Sequence, residues 1–384
     1  MSGLAALVPA AGYSSRMNVF KPLLPLGETT VIARTVNTFF TAGLRRVLVV
    51  VGHRAGDLRP ALTELKVQEV FNAGYAQGMF SSIQAGVNSL PPQVEAFLLL
   101  PADYPLVRPQ TIKLLIDARQ KSRAGIIYPC FEGERGHPPV ISSGYKDEIL
   151  NYSAGGGLRQ ILARHEDDAL NVEVPDRGVV LDMDTPEDYR NLLQRAASID
   201  LPDRLECEAV LRLAGTPPGV IVHSRAVAAL ACGLASELNQ FGYALQLEMI
   251  AAAGLLHDVA KGLPGHAAAG AELITNMGFS GVARIIACHM GDGLEPGAGI
   301  GEKELVYLAD KLLRGDKPVT LTERFSRSMQ CFAGEPEIQQ AVRARRSLAE
   351  SIKQRVEQEL GVQLDQWLEE WRQRGEKESG CGIT

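Results

Sequence analysis

The sequence predicts an α/β domain with a mostly parallel, Rossmann-like sheet, followed by an all-helical domain. Three observations predict this. A chain of 384 residues is too long for one typical core and divides naturally in two. Its first half alternates short apolar runs with segments of helical spacing. After about Ala197 the character changes to long Ala/Leu/Glu-rich helical patterns with almost no strand signal. The expected segments are 1–198 for the first domain, 203–345 for the second, and 346–384 for a C-terminal amphipathic helix and tail. Asp200-Leu-Pro-Asp203 reads as the linker.

The runs Leu4–Pro9, Arg46–Gly52, Phe97–Pro101, Gly125–Pro129 and Val179–Met183 are short, bounded and partly β-branched, as buried parallel strands should be. Between them, Thr30–Thr41, Ser81–Ser89 and Pro109–Lys121 have helical spacing. Sheets of this kind bind ligands at the carboxyl ends of their strands. In the second half Gly215-Thr-Pro-Pro-Gly219 reads as a loop. Over Ile352–Arg374, residues Val356, Leu360, Leu364, Trp367, Leu368 and Trp371 recur three and four apart. That spacing predicts one apolar helix face docking on its own domain or a partner. The stretch Gly375–Thr384 is expected to fray.

Hydrophobic residues at 46% and charged residues at 22% describe an ordinary soluble protein. A formal net charge of −6 excludes a general polyanion binder, so no nucleic-acid partner is expected. The six cysteines, among them Cys288 and Cys381, form no C-x-x-C pair, which points to reduced thiols in a cytoplasmic protein. Met1–Val8 lacks a basic leader and reads as a first strand. No apolar run approaches the roughly 20 residues that span a bilayer, and no membrane association is expected.

The first candidate site follows the first strand. Pro9-Ala10-Ala11-Gly12-Tyr-Ser-Ser-Arg16-Met is a loop of small residues whose backbone N–H groups can approach a triphosphate. Arg16 and the downstream Lys21 add permanent positive charge for phosphates and a leaving pyrophosphate. This is neither a Walker A loop nor a dinucleotide fingerprint, and alone it is equally a bland turn. Asp103, in Leu98-Leu-Leu-Pro-Ala-Asp-Tyr-Pro105, stands just past a strand, and Asp182 and Asp184 stand at another predicted strand end. Two such carboxylates suffice for Mg²⁺, which takes few protein ligands beside phosphates and water. Aspartates there also serve as turn and cap residues. The competition is most direct at Asp184, which precedes the helix start Thr185-Pro186-Glu187-Asp188.

These motifs, with Gly136-His137-Pro138, resemble the MobA-like NTP transferases, and within them the MocA-type molybdenum cofactor cytidylyltransferases, over about residues 4–195. The resemblance implies a nucleotide-diphospho-sugar transferase type of fold. It implies an NTP held by Ala10, Ala11, Gly12, Arg16 and Lys21, and Mg²⁺ held by Asp103 and Asp184. The stretch Gly78-Met-Phe-Ser-Ser82-Ile-Gln-Ala-Gly86 resembles the part that meets base and ribose, and Gly136-His137-Pro138 the part that faces a pterin acceptor. Ala10-Ala11-Gly12 resembles the cytidylyl branch and implies CTP. Asn18 and Gly155-Gly-Gly157 depart from the family pattern. The implied reaction is attack by the terminal phosphate of a molybdopterin-type cofactor on the α-phosphate of CTP, with a molybdenum hydroxylase as candidate recipient of the product. A phosphate nucleophile is already ionised near neutral pH, so no general base is needed. His137 then contacts the acceptor or serves the structure.

The second candidate site consists of His223, His257-Asp258, His266, His289 and Asp310, which take up four of the seven histidines. Each of the four segments Val220–His223, Leu255–Val259, Ile285–His289 and Tyr307–Lys311 is an apolar helical context. Ionisable groups leaving a buried stripe need partners, and imidazole with carboxylate suits Fe, Mn or Zn. The order resembles the HD superfamily of metal-dependent phosphohydrolases over about residues 205–345, and within it is similar to the YqeK-type dinucleoside polyphosphate hydrolases. It implies that these six residues hold one or two divalent transition metals, Fe or Mn first. Lys261 would stabilise phosphate charge, or it is a solvated helix-end lysine. Cys288 reads as a small core residue. Transfer to another acceptor, such as a sugar phosphate, also fits the first half, as does a non-catalytic cofactor-handling accessory role.

Overall fold

A computed structural model describes residues 3–17, 19–332 and 334–380, with side chains left out at 372 and 374–380. Asn18, Cys381 and the last residues of the tail expected to fray lie outside the described residues. The chain divides into two compact units, Met1–Ile199 and Asp200–Thr384.

In the first unit four of the five apolar runs become strands. The strands are β1 (Leu4–Pro9), a short hairpin of β2 (Pro25–Leu26) and β3 (Thr29–Thr30), β4 (Val47–Val51), β5 (Gln68–Phe71), β6 (Ala96–Leu99), β7 (Ile126–Phe131), β8 (Glu134–Arg135), β9 (Val140–Ser142) and β10 (Ala169–Glu173). The main sheet runs β10-β7-β9-β6-β1-β4-β5, with β8 on β7. Pairs β1·β4, β1·β6, β4·β5 and β7·β10 are parallel, whereas β9 lies antiparallel between β6 and β7. The chain leaves β1 toward β4 on one side and returns through β6 on the other. That reversal opens a crevice at the carboxyl end of β1.

The helices of this unit are α1 (Val31–Thr41), α2 (Ala55–Leu65), α3 (Met79–Asn88), α4 (Pro109–Lys121), α5 (Lys146–Asn151), α6 (Gly157–Ala163) and α7 (Pro186–Ala197). Thr30 caps α1, Pro109 occupies the first turn of α4, and Thr185 with Asp188 forms a capping box on α7. Ile83 and Val87 of α3, Ile149 of α5 and Ile161 of α6 pack on Ala5, Leu7, Leu48 and Val50. Helix α3 approaches β1 at glycine distance: a Cβ on Gly86 would lie 2.2 Å from Leu7 Cδ1.

Val179–Met183 is not the strand its apolar character predicts. Val179 and Met183 are buried, but the backbone forms a 3₁₀ turn over Arg177–Val179 and then irregular chain. The cause is Asp176, whose Oδ1 accepts from Gly178 N at 3.0 Å and turns the backbone before a strand can start. The same carboxylate accepts from Arg108 Nη1 at 2.9 Å, Arg108 N at 2.8 Å and Thr111 Oγ1 at 2.6 Å, all buried. Asp176→Ala would strand the Arg108 charge in the interior, so the first unit should lose roughly 3–5 kcal/mol of stability in urea unfolding. A loss within experimental error would mean that water replaces the carboxylate.

The second unit is helical: α8 (Arg204–Leu213), α9 (Pro218–Gln240), α10 (Leu247–Leu256), α11 (His266–Asn276), α12 (Ser280–Ala287), α13 (Glu302–Lys311), α14 (Leu321–Cys331), α15 (Pro336–Leu360) and α16 (Leu364–Gly380). A two-residue-per-strand hairpin, β11 (Leu313–Arg314) with β12 (Lys317–Pro318), interrupts the helices. By length and composition α9 is apolar enough to cross a membrane, with a mean hydropathy of 1.5 over its best window, which corrects the expectation that no such run exists. Its His, Arg225 and Glu237 interrupt the apolar letters. In the fold, Val227, Leu230, Ala231, Leu234 and Leu238 of α9 pack into the helical core.

The expected single C-terminal helix is two, because Gly361 adopts φ +67° and ends α15. Its apolar face still docks on its own unit: Val356, Leu360, Leu364, Trp367 and Leu368 join the core. A Cβ on Gly233 of α9 would come within 3.3 Å of both tryptophans. Residues up to Gly380 continue α16 where fraying was expected.

Candidate functional sites

The loop after β1 and the segment after β6 meet at the crevice. Ala10 N bonds to Val50 O at 2.8 Å and Ala102 N to Pro9 O at 3.1 Å, which sets both segments beside the strand ends. Ala10, Gly12, Ser14, Lys21 and Asp103 line one cavity of about 150 Å³. Ser14, at φ +55°, accepts from Lys21 N at 3.2 Å and fixes the lysine's backbone. Lys21 Nζ lies 2.9 Å from Asp184 Oδ1 and 4.0 Å from Asp103 Oδ2, and Arg16 pairs with the other oxygen of Asp184. The segment that lost its strand therefore still delivers Asp184 to the crevice.

The two carboxylates are electrostatically unlike. Burial raises the Asp103 carboxyl above its ordinary range, against the opposing pull of Lys21. The hydrogen bond from Lys21, with Arg16 behind it, holds Asp184 below its ordinary range. Asp182 is raised by burial and by neighbouring Asp184, and the Tyr104 phenol is pushed up to about 12 by burial and the same carboxylates. Asp103 Oδ1 is buried with no hydrogen-bond partner among the described residues. An orphaned, desolvated carboxylate oxygen beside a second carboxylate fits a hard divalent cation.

A larger cavity of about 780 Å³ adjoins this one, sharing Pro9, Met79 and Pro101 with it. His137 lies on its wall, with Tyr104 at a ring-centroid distance of 4.5 Å and Nδ1 3.3 Å from Leu99 O. Burial lowers the His137 imidazole below its ordinary value, which keeps it neutral. Gly136 is obligatory: a Cβ there would lie 2.3 Å from Val179 O. Gly156 and Gly157, at φ +86° and +56°, start α6 in the left-handed region against Phe80, so the departure from the family pattern has a backbone reason. Ser82 is not on either wall. It is buried and spent on Asn72 Nδ2 at 3.0 Å. Gly78, at φ +99°, turns the chain into α3. Sequence reading missed Asn72, which also binds Ser81 and Gly74, and the cavity residues Tyr128, Arg135 and Arg159. Asn72 looks like any turn residue in a sequence.

In the second unit the six predicted residues converge. His223 comes from α9, His257 and Asp258 from the end of α10, His266 from the start of α11, His289 from just past α12 and Asp310 from α13. His223, His257 and Asp258 form one group whose ligand atoms lie within 4.8 Å of one another, and Asp258, His266 and His289 form a second. Asp258 is common to both. Asp310 Oδ1 is 3.0 Å from His223 Nε2 and 4.0 Å from His257 Nε2. Nδ1 of His223, His257 and His289 meets the carbonyls of Gly315, Gly254 and Ile286 at 2.8, 2.8 and 2.7 Å. Donation there leaves each Nε2 lone pair aimed at the centre, the arrangement of metal-binding imidazoles. His257 Nε2 is buried without a hydrogen-bond partner, which fits a divalent metal at that point.

Burial opposes charge at these carboxylates, yet the adjacent His257 and His289 rings and the Lys261 ammonium hold Asp258 far below its ordinary range. Burial likewise opposes Asp310, and Lys311 and His223 overcome it. Lys261 pairs with Asp258 and Lys311 with Asp310. Lys261 thus reaches the centre and is not merely a solvated helix end. Cys288 bonds Arg284 O and takes no part. Lys311, Arg324 and Arg345 line a cavity over this centre together with Asp258, His266 and His289, and they carried no sequence signal of their own. They lie among many similar charged residues on amphipathic helices.

The sequence matches the MobA-like NTP transferase domain family over residues 6–169 and the HD domain family over residues 220–315. The molybdenum cofactor cytidylyltransferase of Escherichia coli K12 is 28% identical over 200 residues, covering 52% of this chain and 100% of that protein. The bifunctional protein GlmU of Geobacter metallireducens is 33% identical over 134 residues, 33% of this chain but only 27% of its own length. Among solved structures, Rv0371c of Mycobacterium tuberculosis H37Rv is 28% identical and covers 50% of this chain and 98% of its own, with a TM-score of 0.45.

Proposed function

Because this chain joins a MobA-like NTP transferase domain to an HD domain, we propose that it is a bifunctional enzyme. The first domain transfers CMP from CTP to the terminal phosphate of a molybdopterin-type cofactor and releases pyrophosphate. The second hydrolyses a phosphoester or nucleotide. The observation that carries the transferase reading is Lys21 placed between Asp103 and Asp184, with one Asp103 oxygen buried and unpartnered. Likeness to a cytidylyltransferase along that relative's whole length supports the donor and acceptor.

Asp103 and Asp184 would hold Mg²⁺, which supplies charge neutralisation on the triphosphate. Ala11 and Gly12 present backbone amides, while Ala10, its own N–H held by Val50 O, sets the loop on the strand end, and Arg16 and Lys21 take the phosphates and the charge that develops on pyrophosphate. The neutral His137, backed by the Tyr104 ring, faces the acceptor cavity, where Met79, Phe80, Ile83 and Leu158 supply apolar surface for a ring system and Arg135 and Arg159 supply charge for its phosphate. The acceptor oxygen forms the new bond to the α-phosphorus as the bond to the β-phosphate oxygen breaks, and no protein base is required. CTP should be consumed, with one pyrophosphate per CMP transferred, only when molybdopterin is supplied. Turnover with a sugar phosphate and none with molybdopterin would sink the acceptor assignment.

A pH dependence follows from Asp103. Its carboxyl protonates at higher pH than an ordinary aspartate, so protons compete with Mg²⁺ earlier as pH falls. Asp184, held ionised by Lys21, does not contribute there. The Mg²⁺ concentration for half-maximal transfer should rise from neutral to mildly acidic pH in the parent chain. A flat profile would show that Asp103 is not a ligand.

In the HD domain, His223, His257, Asp258, His266, His289 and Asp310 would hold one or two divalent transition metals, which supply an activated water and Lewis acidity. Lys261 neutralises phosphate charge beside Asp258.

A further inference from the structure

The cavity over the second centre has a wall that the HD domain match does not include. The match ends at residue 315, yet Arg324 and Ser328 of α14 and Arg345 of α15 line the same cavity as Asp258, Lys261, Asp310 and Lys311. The charges there do not cancel. Lys261 and Lys311 already pair with the two carboxylates. Arg324 is a further 3.7 Å from Asp310 Oδ1, and among the described residues the Arg345 guanidinium has no ion-pair partner. Tyr307, fully buried, donates to Arg345 O at 2.8 Å and fixes the backbone of α15 at that point. Two surplus guanidinium groups on a fixed wall suit bidentate binding of phosphate oxygens.

Size and lining narrow the ligand. The cavity measures about 250 Å³, below the roughly 300–1,000 Å³ of most small-molecule sites. Among its described lining residues no Asn or Gln is present to read a base. We propose that this centre acts on a compact, multiply charged phosphoanhydride, inorganic pyrophosphate being the form that fits, with Arg324 and Arg345 gripping the phosphate remote from the histidines. The proposal rests on the hydrolase reading of the HD domain. In the reaction the water oxygen bonds to one phosphorus and the bridging oxygen leaves with the other. One proton stays on the attacking oxygen and one goes to the bridging oxygen, so one pyrophosphate and one water give two hydrogen phosphate ions. The compound consumed is of the class that a nucleotidyl transfer releases, so the second domain would make the first irreversible.

The test uses the full chain carrying Lys21→Ala, to remove phosphate binding by the first domain, loaded with Mn²⁺. Phosphate release is followed from pyrophosphate, CDP and CMP formation from CTP by chromatography, and p-nitrophenol release from bis(p-nitrophenyl) phosphate, and binding of methylenediphosphonate is measured by calorimetry. Pyrophosphate should be cleaved with a kcat/KM at least about tenfold above the other two. Arg345→Ala and Arg324→Ala should each weaken methylenediphosphonate about tenfold or more, with bound Mn²⁺ unchanged. Preference for CTP or the diester, or arginine variants that bind the diphosphonate like the parent, overturns the proposal and leaves the hydrolase reading standing. Cleavage of none of the three by metal-loaded protein overturns both.

Discussion

Asp103→Ala should lower nucleotidyl transfer by about three orders of magnitude, equivalent to ~4 kcal/mol of transition-state stabilisation. The substitution removes one of the two carboxylates proposed to hold Mg²⁺ and leaves Lys21 with Asp184 alone. The fold should not suffer. Asp103 Oδ1 has no hydrogen-bond partner among the described residues, and burial raises its carboxyl, which means that the ionised form is disfavoured by folding. Removing it should leave Tm unchanged or raise it, the usual relation between a strained site and stability. Pyrophosphate release at the parent rate would support a non-catalytic accessory role instead. A collapse in Tm would show that the carboxylate serves the structure.

Asp258→Ala should abolish the second activity and leave the first intact. Among the described residues Asp258 is the one proposed ligand common to both histidine groups, lying 3.4 Å from His257 Nε2 through one oxygen and 3.5 and 3.6 Å from His266 and His289 Nε2 through the other. Its loss should empty both positions, whereas His266→Ala should vacate one. Metal analysis should read roughly two transition-metal ions per parent chain, about one in the His266 variant and none in the Asp258 variant. Hydrolysis should fall by at least about 10³-fold without Asp258. Equal metal content in the parent and the Asp258 variant would refute the shared-ligand geometry.

Much of this was legible in the sequence, for reasons that can be named. Leu4–Pro9 and Pro109–Lys121 take the boundaries read from their letters, because each carries its own punctuation: a small-residue loop after the first, Pro at the start of the second. The histidines stood out because imidazoles on apolar helices need partners. Val179–Met183 was misread because burial and strand formation give the same apolar letters, and the turn depends on Asp176 reaching Gly178. The antiparallel insertion of β9 between β6 and β7 is set by pairing across distant sequence, which no local pattern encodes. Arg324 and Arg345 stayed hidden for a different reason. A guanidinium that lines a cavity and one that faces water have the same neighbours in sequence.

The salt bridges of Asp184 have a consequence for how ligands arrive. In the chain alone, this carboxylate occupies Arg16 and Lys21, the cations proposed to receive phosphates, and is itself occupied by them. Nucleotide without metal would strip the cations from Asp184 and leave that negative charge facing a triphosphate. Metal without nucleotide would compete with two cations that have nowhere else to go. Only joint arrival lets every charge change partners without leaving one bare. With the proposed roles of Asp184, Arg16 and Lys21, a divalent metal and a nucleotide should raise each other's affinity by one common factor, as thermodynamic reciprocity demands. The resting site resembles a set of clasped hands that two visitors must greet at once.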